Sequence, residues 1–213
     1  TPETTTIQPP DGASAGAVKG DSRMTVMTAD PTPRATCHTS SPQPELRRTS
    51  RWWSVPILTY HRVGEPQRDH VPTVTPEAFQ AQLRRIQRRW RVVDLGELLE
   101  PLIQGAPVDR RHVAITFDDG YAETYTIAAP ILKELGCPAT VFVTPKEIGK
   151  PGFMSWEQVR GREPFGITVG SHTMHHTYLP LAATEQARLE VLESKQILDQ
   201  QLGRPIRWLS YPI

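Results

Sequence analysis

Two adjacent carboxylates and a pair of histidines carry the most specific chemical signal in this sequence. Asp118 and Asp119 follow the apolar run 112–117, which is the pattern of a buried strand that delivers acids to the end of a sheet. His172 and His176 lie four positions apart, so both rings can turn toward one point. One carboxylate and two imidazoles form a three-ligand set that leaves a fourth zinc position open for water, as a hydrolytic metal site requires.

Both halves of this pattern also have a plain structural interpretation. Asp118 and Asp119 before Gly120 are consistent with a turn in which Asp119 caps the following helix. His172 and His176, taken without a carboxylate partner, are consistent with surface histidines or with hydrogen-bonded core histidines. The metal site is favoured because the carboxylate pair and the histidine pair occur together in one chain.

The elements that must position these residues alternate between strands and helices. Strands are predicted at residues 55–61, 92–95, 112–117, 139–143, 166–170 and 207–211. Helices are predicted from the N-cap Thr75 to Trp90, at 95–103, over 121–135 and from the N-cap Thr184 to Leu202. Pro130 lies inside the third helical pattern and predicts a kink or a later start. The alternation predicts parallel strands joined by right-handed crossovers, with every candidate ligand just after a strand.

Composition divides the chain into two parts. Residues 1–50 are rich in Pro and Thr and poor in Ile, Val and Leu, so they are predicted to form a disordered leader or linker. Residues 51–213 have the composition of one folded α/β domain. The 24 basic and 23 acidic side chains nearly cancel, which argues against a nucleic-acid partner. No segment approaches the ~20 apolar residues of a membrane span.

One enzyme family has motifs that this sequence resembles. Its members are the polysaccharide deacetylases, which share the NodB-homology domain of carbohydrate esterase family four. Their first two motifs are similar to TFDDG at residues 116–120 and SHTMHH at residues 171–176. Residues 58–63, 75–79 and 209–212 also resemble the family, especially its branch that acts on poly-N-acetylglucosamine-like chains.

The resemblance covers residues 55–213 and implies a (β/α) barrel-like NodB-homology fold, incomplete at the C-terminus and preceded by the leader. By the family pattern, Asp119, His172 and His176 bind a divalent metal, with zinc as the expected ion. The first Asp of the motif is the general base, a role that falls on Asp118. The implied reaction is hydrolysis of the acetamide of N-acetylglucosamine units in a polysaccharide or oligosaccharide.

The third family motif is where this sequence departs from the pattern. The family uses a backbone N–H in that turn to stabilise the oxyanion, and by register this donor is the amide of Ile213. His61 and Tyr211 follow or end strands and are candidates for substrate binding, although a structural role fits each equally well. Family members carry a histidine general acid beyond this point, so a catalytically impaired remnant that binds only metal or glycan is the alternative function.

The family resemblance also bears on location and on the range of substrates. Family substrates are usually extracytoplasmic, which implies a cell-surface or extracytoplasmic location. Residues 1–50 contain no apolar run typical of a secretory signal. Hydrolysis of another linear amide by the same zinc chemistry is a further reading that the motifs leave open.

Overall fold

A computed structural model of the chain describes residues 56–67 and 69–212. The predicted leader at 1–50 and the amide of Ile213 lie outside this part of the chain. The main sheet contains five strands, which are β1 (Ile57–Tyr60), β4 (Arg91–Val93), β5 (His112–Phe117), β6 (Ala139–Val143) and β7 (Ile167–Ser171). Two short strands, β2 (Arg62–Val63) and β3 (Thr73–Val74), pair with each other in a separate parallel ribbon.

Five α-helices connect or flank these strands. They are α1 (Pro76–Gln87), α2 (Leu95–Ile103), α3 (Ala129–Leu135), α4 (Trp156–Arg160) and α5 (Thr184–Leu202). The Thr75 hydroxyl accepts the Ala78 N–H at 3.3 Å and caps α1 as predicted. Short 3₁₀ turns lie at Glu163–Phe165 and Leu179–Leu181.

All strand pairs of the main sheet are parallel, as the alternating pattern predicts. The central strand β5 pairs with β1, β4 and β6, and β7 pairs with β6. Tyr60 lies opposite Phe117, and Val143 lies opposite Ser171, so these strands end at one edge of the sheet. The residues that follow β1, β5 and β7 therefore meet at that edge, where α/β folds place their chemistry.

The sheet is buried on both faces, which explains why β5 and β6 are almost continuously apolar. On one face, Ile115 and Phe117 pack with Phe79 of α1 and Leu132 of α3. The opposite face is a smaller cluster that joins α2 to the sheet through Leu95, Leu98, Leu99, Val93, Ala114 and Phe142. The two packed faces fix β5, so its carboxyl end is a rigid support for the carboxylates that follow.

The structure corrects two details of the sequence-based prediction. The predicted strand 207–211 is reduced to an isolated parallel bridge between Ser171 and Leu209. Ala183, not Thr184, is the N-cap of α5, and it makes no side-chain capping bond.

The late start that Pro130 predicts for the helix within 121–135 is confirmed. A π-helical turn occupies Thr124–Ala128, and regular α-helix starts only at Ala129, one residue before Pro130. A proline in the first turn of a helix costs no intrahelical hydrogen bond, which explains the late start.

A membrane-spanning helix needs about 20 predominantly apolar residues. Across the part of the chain that the structure describes, no helix is both long enough and apolar enough to span a bilayer.

Candidate active site

Asp119, His172 and His176 converge at the carboxyl edge of the sheet. Their potential ligand atoms all lie within 4.8 Å of one another. The Nε2 atoms of His172 and His176 lie 3.4 Å and 3.0 Å from the same carboxylate oxygen, Oδ1 of Asp119. The two imidazole rings have centroids 4.9 Å apart. The structure thus brings together the three residues that the sequence motifs single out as a ligand set.

The carboxylate half of the site is positioned by the end of β5. The backbone N–H of Asp118 donates to the Tyr60 carbonyl at 2.9 Å, which extends the pairing of β1 and β5 by one residue. Asp119 then adopts a left-handed φ of 70°, and the Gly120 N–H turns back to the Asp118 carbonyl at 2.9 Å. A left-handed φ at a non-glycine residue is uncommon and is often found at functional sites. Asp119 does not cap the following helix by its side chain, because that helix has no side-chain cap.

His172 is held in one tautomer by the segment after α5. Its Nδ1 lies 2.8 Å from the carbonyl oxygen of Ser210. A carbonyl only accepts, so Nδ1 carries a proton, and Nε2 is the ring nitrogen that faces Asp119. Metal-binding histidines are typically oriented in this way by an acceptor on the other ring nitrogen. His172 is almost fully buried, with 4% of its side chain exposed, whereas His176 is 48% exposed and faces the open side.

The donor set fits a divalent cation. Asp119 Oδ1 is buried and has no hydrogen-bond partner among residues 56–67 and 69–212, although two imidazole nitrogens face it. Burial acts to lower the pKa of His172, but Asp119 and Asp118 outweigh it and raise that pKa. A proton or a cation between Nε2 and the anionic oxygen is therefore favoured. A carboxylate with two imidazoles is a common set for zinc and related ions, and it leaves coordination positions for water or substrate.

The pKa values of the two neighbouring carboxylates are shifted in opposite directions. Burial raises the pKa of Asp118, and the negative charge of Asp119 adds to this, against the opposing effect of His172 and His61. Burial also acts to raise the pKa of Asp119, but His172 and His176 outweigh it and hold that pKa below its usual value. Asp118 is therefore the stronger base of the pair, and Asp119 is the more readily ionised. Two acids with separated pKa values are the usual arrangement for dividing a base role from a ligand role.

Tyr121 also lies at this site, although the sequence predicts it only as the first residue of the helix at 121–135. Burial, the charge of Asp119 and a hydrogen bond to that carboxylate raise the pKa of Tyr121 to about 12. The Arg62 guanidinium lies 4.3 Å from the centre of the Tyr121 ring, and Phe153 stacks on the ring at 5.0 Å. The phenol thus stays protonated beside the Asp119 carboxylate. Its position directly after the Asp-Asp-Gly sequence was the available signal.

Glu190 and Ser194 of α5 were also missed as supports of the site. Both are buried, although a helical residue with a charged side chain is expected on the solvent face. Glu190 accepts hydrogen bonds from the loop that joins His172 to His176. Glu190 lies three residues after Ala187 and four before Ser194, so it shares a helix face with both, but this spacing alone does not predict that a glutamate is buried.

The remaining candidates from the sequence have different outcomes. His61 is partly buried and lies close enough for its charge to act on Asp118 and Asp119. Tyr211 is partly buried and follows Ser210, whose carbonyl orients His172. Their roles in substrate binding stay predictions, as does the oxyanion role of Ile213, which lies outside the described residues.

Comparison with known proteins agrees with the motifs. The model of the polysaccharide deacetylase family matches residues 105–213. The polysaccharide deacetylase homologue YxkH of Bacillus subtilis is 30% identical over 167 residues, which cover 78% of this chain and 59% of YxkH. A peptidoglycan-N-acetylglucosamine deacetylase of Bacillus cereus is 26% identical over 101 residues, 47% of this chain and 46% of that protein. The chain therefore spans about half to three fifths of the length of these relatives.

A solved structure shares the fold as well. The Streptococcus pyogenes deacetylase PplD, determined in complex with acetate, superimposes with a TM-score of 0.67 and 26% identity. The match covers 74% of this chain and 73% of that one. It has the α/β architecture with a parallel sheet that the sequence predicts. The family match, the motifs and the fold agree, and this chain belongs to the polysaccharide deacetylase family.

Proposed function

We propose that this chain carries the site of a metal-dependent polysaccharide deacetylase that removes acetyl groups from N-acetylglucosamine units. The observation that supports this most directly is the convergence of Asp119, His172 and His176 around one unsatisfied carboxylate oxygen. The Bacillus cereus relative is named for action on N-acetylglucosamine of peptidoglycan, which makes the same sugar unit the first substrate to test.

The proposed division of labour follows from the geometry and the acidities. A divalent ion held by Asp119, His172 and His176, with zinc as the expected ion, supplies Lewis acidity toward the acetamide carbonyl and toward water. Asp118 takes the proton of the attacking water, because its raised pKa makes it the stronger base of the pair. The new bond joins the water oxygen to the carbonyl carbon, the C–N bond breaks, and the leaving nitrogen takes up one proton, which balances the proton that Asp118 accepted from water. The products are acetate and a free amine on the sugar.

Two further residues tune this chemistry through the ligands. Tyr121 lies beside the Asp119 carboxylate and keeps its proton, because burial and the charge of Asp119 raise its pKa to about 12. The Ser210 carbonyl keeps the proton of His172 on Nδ1, so Nε2 remains available as a ligand. The half-exposed ring of His176 marks the side from which a polysaccharide chain can approach.

Zinc binding is the direct test of the proposed ligand set. We expect the parent chain to bind zinc in titration calorimetry. Asp119→Ala should lose this binding, because it removes the carboxylate oxygen that faces both imidazoles. Asp109→Ala removes an exposed aspartate on the loop before β5 and is the matched control. Folding of each variant is checked by circular dichroism.

Acetate release from N-acetylglucosamine oligomers then tests the reaction. The parent loaded with zinc should release acetate, and Asp119→Ala should release none above background. A folded parent that binds no zinc would contradict the ligand assignment. A parent that binds zinc tightly but releases no acetate would contradict the deacetylase proposal and support metal or glycan binding alone.

A further inference from the structure

The inner face of α5 carries a row of buried residues that touches the histidine loop, here defined as residues 172–177. Glu190, Ser194 and Leu198 follow one another at four-residue spacing and are all buried. Two members of this row are polar, which is costly in a core unless each polar atom is hydrogen-bonded. Their partners lie in the histidine loop and at the end of β7, so these polar residues connect α5 to both segments.

Glu190 acts as an acceptor for several donors of the histidine loop. Its Oε2 accepts the backbone N–H groups of Met174 at 3.0 Å and His175 at 2.9 Å. Its Oε1 accepts from Nδ1 of His175 at 2.9 Å and from Nε2 of Gln186 at 3.2 Å. Only 1% of the Glu190 side chain is exposed. A buried carboxylate that accepts several N–H bonds forms strong, charge-assisted contacts.

Ser194 completes the support from the same helix face. Its hydroxyl donates to the Val191 carbonyl at 2.9 Å and lies 2.6 Å from the Ser171 hydroxyl. Ser171 therefore donates to Ser194, and its oxygen accepts the backbone N–H of Thr173 at 3.1 Å. The chain of bonds runs from α5 to the residue that follows the first histidine ligand.

The histidine loop needs this support because its backbone is strained. Thr173 and His176 have left-handed φ values of 63° and 58°, and neither is glycine. Each such residue costs on the order of 1–3 kcal/mol and persists only where its surroundings hold it. The bonded N–H groups of Met174 and His175 lie between these two positions. Glu190 thus fixes the stretch of backbone that sets the separation of the two imidazoles.

We infer that Glu190 is a positioning residue for the metal ligands, which holds His172 and His176 in their binding arrangement before any ion arrives. The inference rests on the proposed metal site and adds a residue outside the motifs at residues 116–120 and 171–176. A loop held in place does not have to be ordered when the ion binds, so the ion retains more of its interaction energy as affinity. Residues that orient ligands in this way typically change metal affinity about 10- to 100-fold when they are replaced.

Zinc affinity of Glu190 variants tests the inference. We expect Glu190→Ala to weaken zinc binding by about 10- to 100-fold in competition with a chelator dye. Glu190→Gln should weaken it less, because its carbonyl oxygen can take the place of Oε2 and accept both loop N–H groups, while the negative charge is lost. The matched control is Glu193→Ala, which removes an exposed glutamate from the same helix and should bind zinc like the parent.

A spectroscopic measurement separates positioning from a loss of stability. The visible absorption of the cobalt(II)-loaded chain reports the geometry of the ligands, and it should change in the Glu190 variants but not in Glu193→Ala. All affinities are measured well below the thermal midpoint of each variant. If Glu190→Ala does not fold, Glu190→Gln carries the test, since it is nearly isosteric with the native residue.

The outcomes distinguish the inference from the proposed function. A parent chain that binds no zinc overturns the metal site, and the inference falls with it. A parent that binds zinc, together with folded Glu190 variants of equal affinity and unchanged cobalt spectrum, overturns only the inference. Graded weakening from the parent through Glu190→Gln to Glu190→Ala supports it.

Discussion

The carboxylate half and the histidine half of the site are held in place by different means. Asp118 and Asp119 follow β5 directly, and a backbone bond to Tyr60 with a tight turn at Gly120 sets their position. The histidine loop follows β7, but its conformation depends on Glu190 and Ser194 of α5. The segment after α5 adds the Ser210 carbonyl, which lies 38 residues from His172 in the sequence.

This difference shows that one half of the site is fixed by strand pairing within the sheet and the other half by contacts with α5 and the segment that follows it. The end of a buried strand needs only its own neighbours in the sheet to project two acids at the carboxyl edge. A loop with two left-handed residues needs external hydrogen bonds to remain in that conformation. We therefore expect substitutions in the carboxylate half to change chemistry without changing the fold, and substitutions that disturb the histidine support to change both.

The largest expected effect is on catalysis, in the carboxylate half. Asp118→Asn should lower the rate of acetate release by about 10²–10⁴-fold, because the amide cannot take the proton from water. Zinc affinity and the urea midpoint should stay close to those of the parent, since the proposed ligand is Asp119. The measurements are acetate release from N-acetylglucosamine oligomers and zinc titration of the same preparation. Loss of zinc binding in a folded Asp118→Asn chain would contradict the separation of base and ligand.

An intermediate effect is expected from crowding beneath the histidine half. A Cβ at Gly170 would lie 2.5 Å from ring carbons of Phe142 and 2.9 Å from the Trp208 carbonyl. That carbonyl accepts the Ser171 N–H at 2.9 Å, so the strain reaches the segment that orients His172. Gly170→Ala should lower the free energy of unfolding by about 1–3 kcal/mol and weaken zinc binding as well.

Urea unfolding and zinc titration check this prediction against a second glycine. Gly64 is the matched control, because a Cβ there has its nearest neighbours at 3.7 Å, which is ordinary contact. Gly64→Ala should leave both quantities near the parent values. A Gly170→Ala chain with parental stability would show that Phe142 and the Trp208 segment yield easily, and the histidine half would then be less dependent on distant packing than proposed.

The smallest expected effect is a pH dependence of stability from Glu190. Burial acts to raise the pKa of Glu190, but hydrogen bonds from His175 and Thr177 outweigh it and hold that pKa below its usual value of 4.5. The folded state therefore favours the carboxylate, and this stabilisation is present above pH 4.5 and lost as the pH falls below it through the folded-state pKa. The stability advantage of the parent over Glu190→Gln should shrink over that acidic range.

Urea midpoints measured from neutral pH to well below pH 4.5 test this expectation. Glu193→Gln is the control, and its stability should run parallel to that of the parent at every pH, because Glu193 is exposed. A difference between parent and Glu190→Gln that does not change with pH would mean that the carboxylate charge contributes nothing to the hold on the histidine loop.

Much of the fold was predictable because its signals are local. The apolar runs of β5 and β6, the Thr75 cap of α1 and the apolar face of α1 agree with the structure. The predicted last strand was wrong, since Ser171 and Leu209 form only an isolated bridge. Pairing of a terminal segment depends on its neighbours rather than on its own β-propensity. The N-cap of α5 was misplaced by one residue, which is the usual uncertainty of helix ends.

The candidate site was predictable in its reactive groups but not in its supports. Asp118, Asp119, His172 and His176 stand out in the sequence because their side chains are chemically special and closely spaced. Glu190 resembles any other helical glutamate until α5 is packed against the histidine loop. The Ser210 carbonyl has no sequence signature at all, since every residue has one.

The order of residues along the chain is enough to assign the side chains that reach the carboxyl edge of the sheet. Strand periodicity and the order of strands and helices are sufficient for that, because parallel strands bring their carboxyl ends together. Their protonation, acidity and burial at that edge follow from the packing of the folded chain. The proton of His172, the separated acidities of Asp118 and Asp119, and the burial of Glu190 all depend on through-space contacts and exclusion of water, which only packing of the folded chain produces.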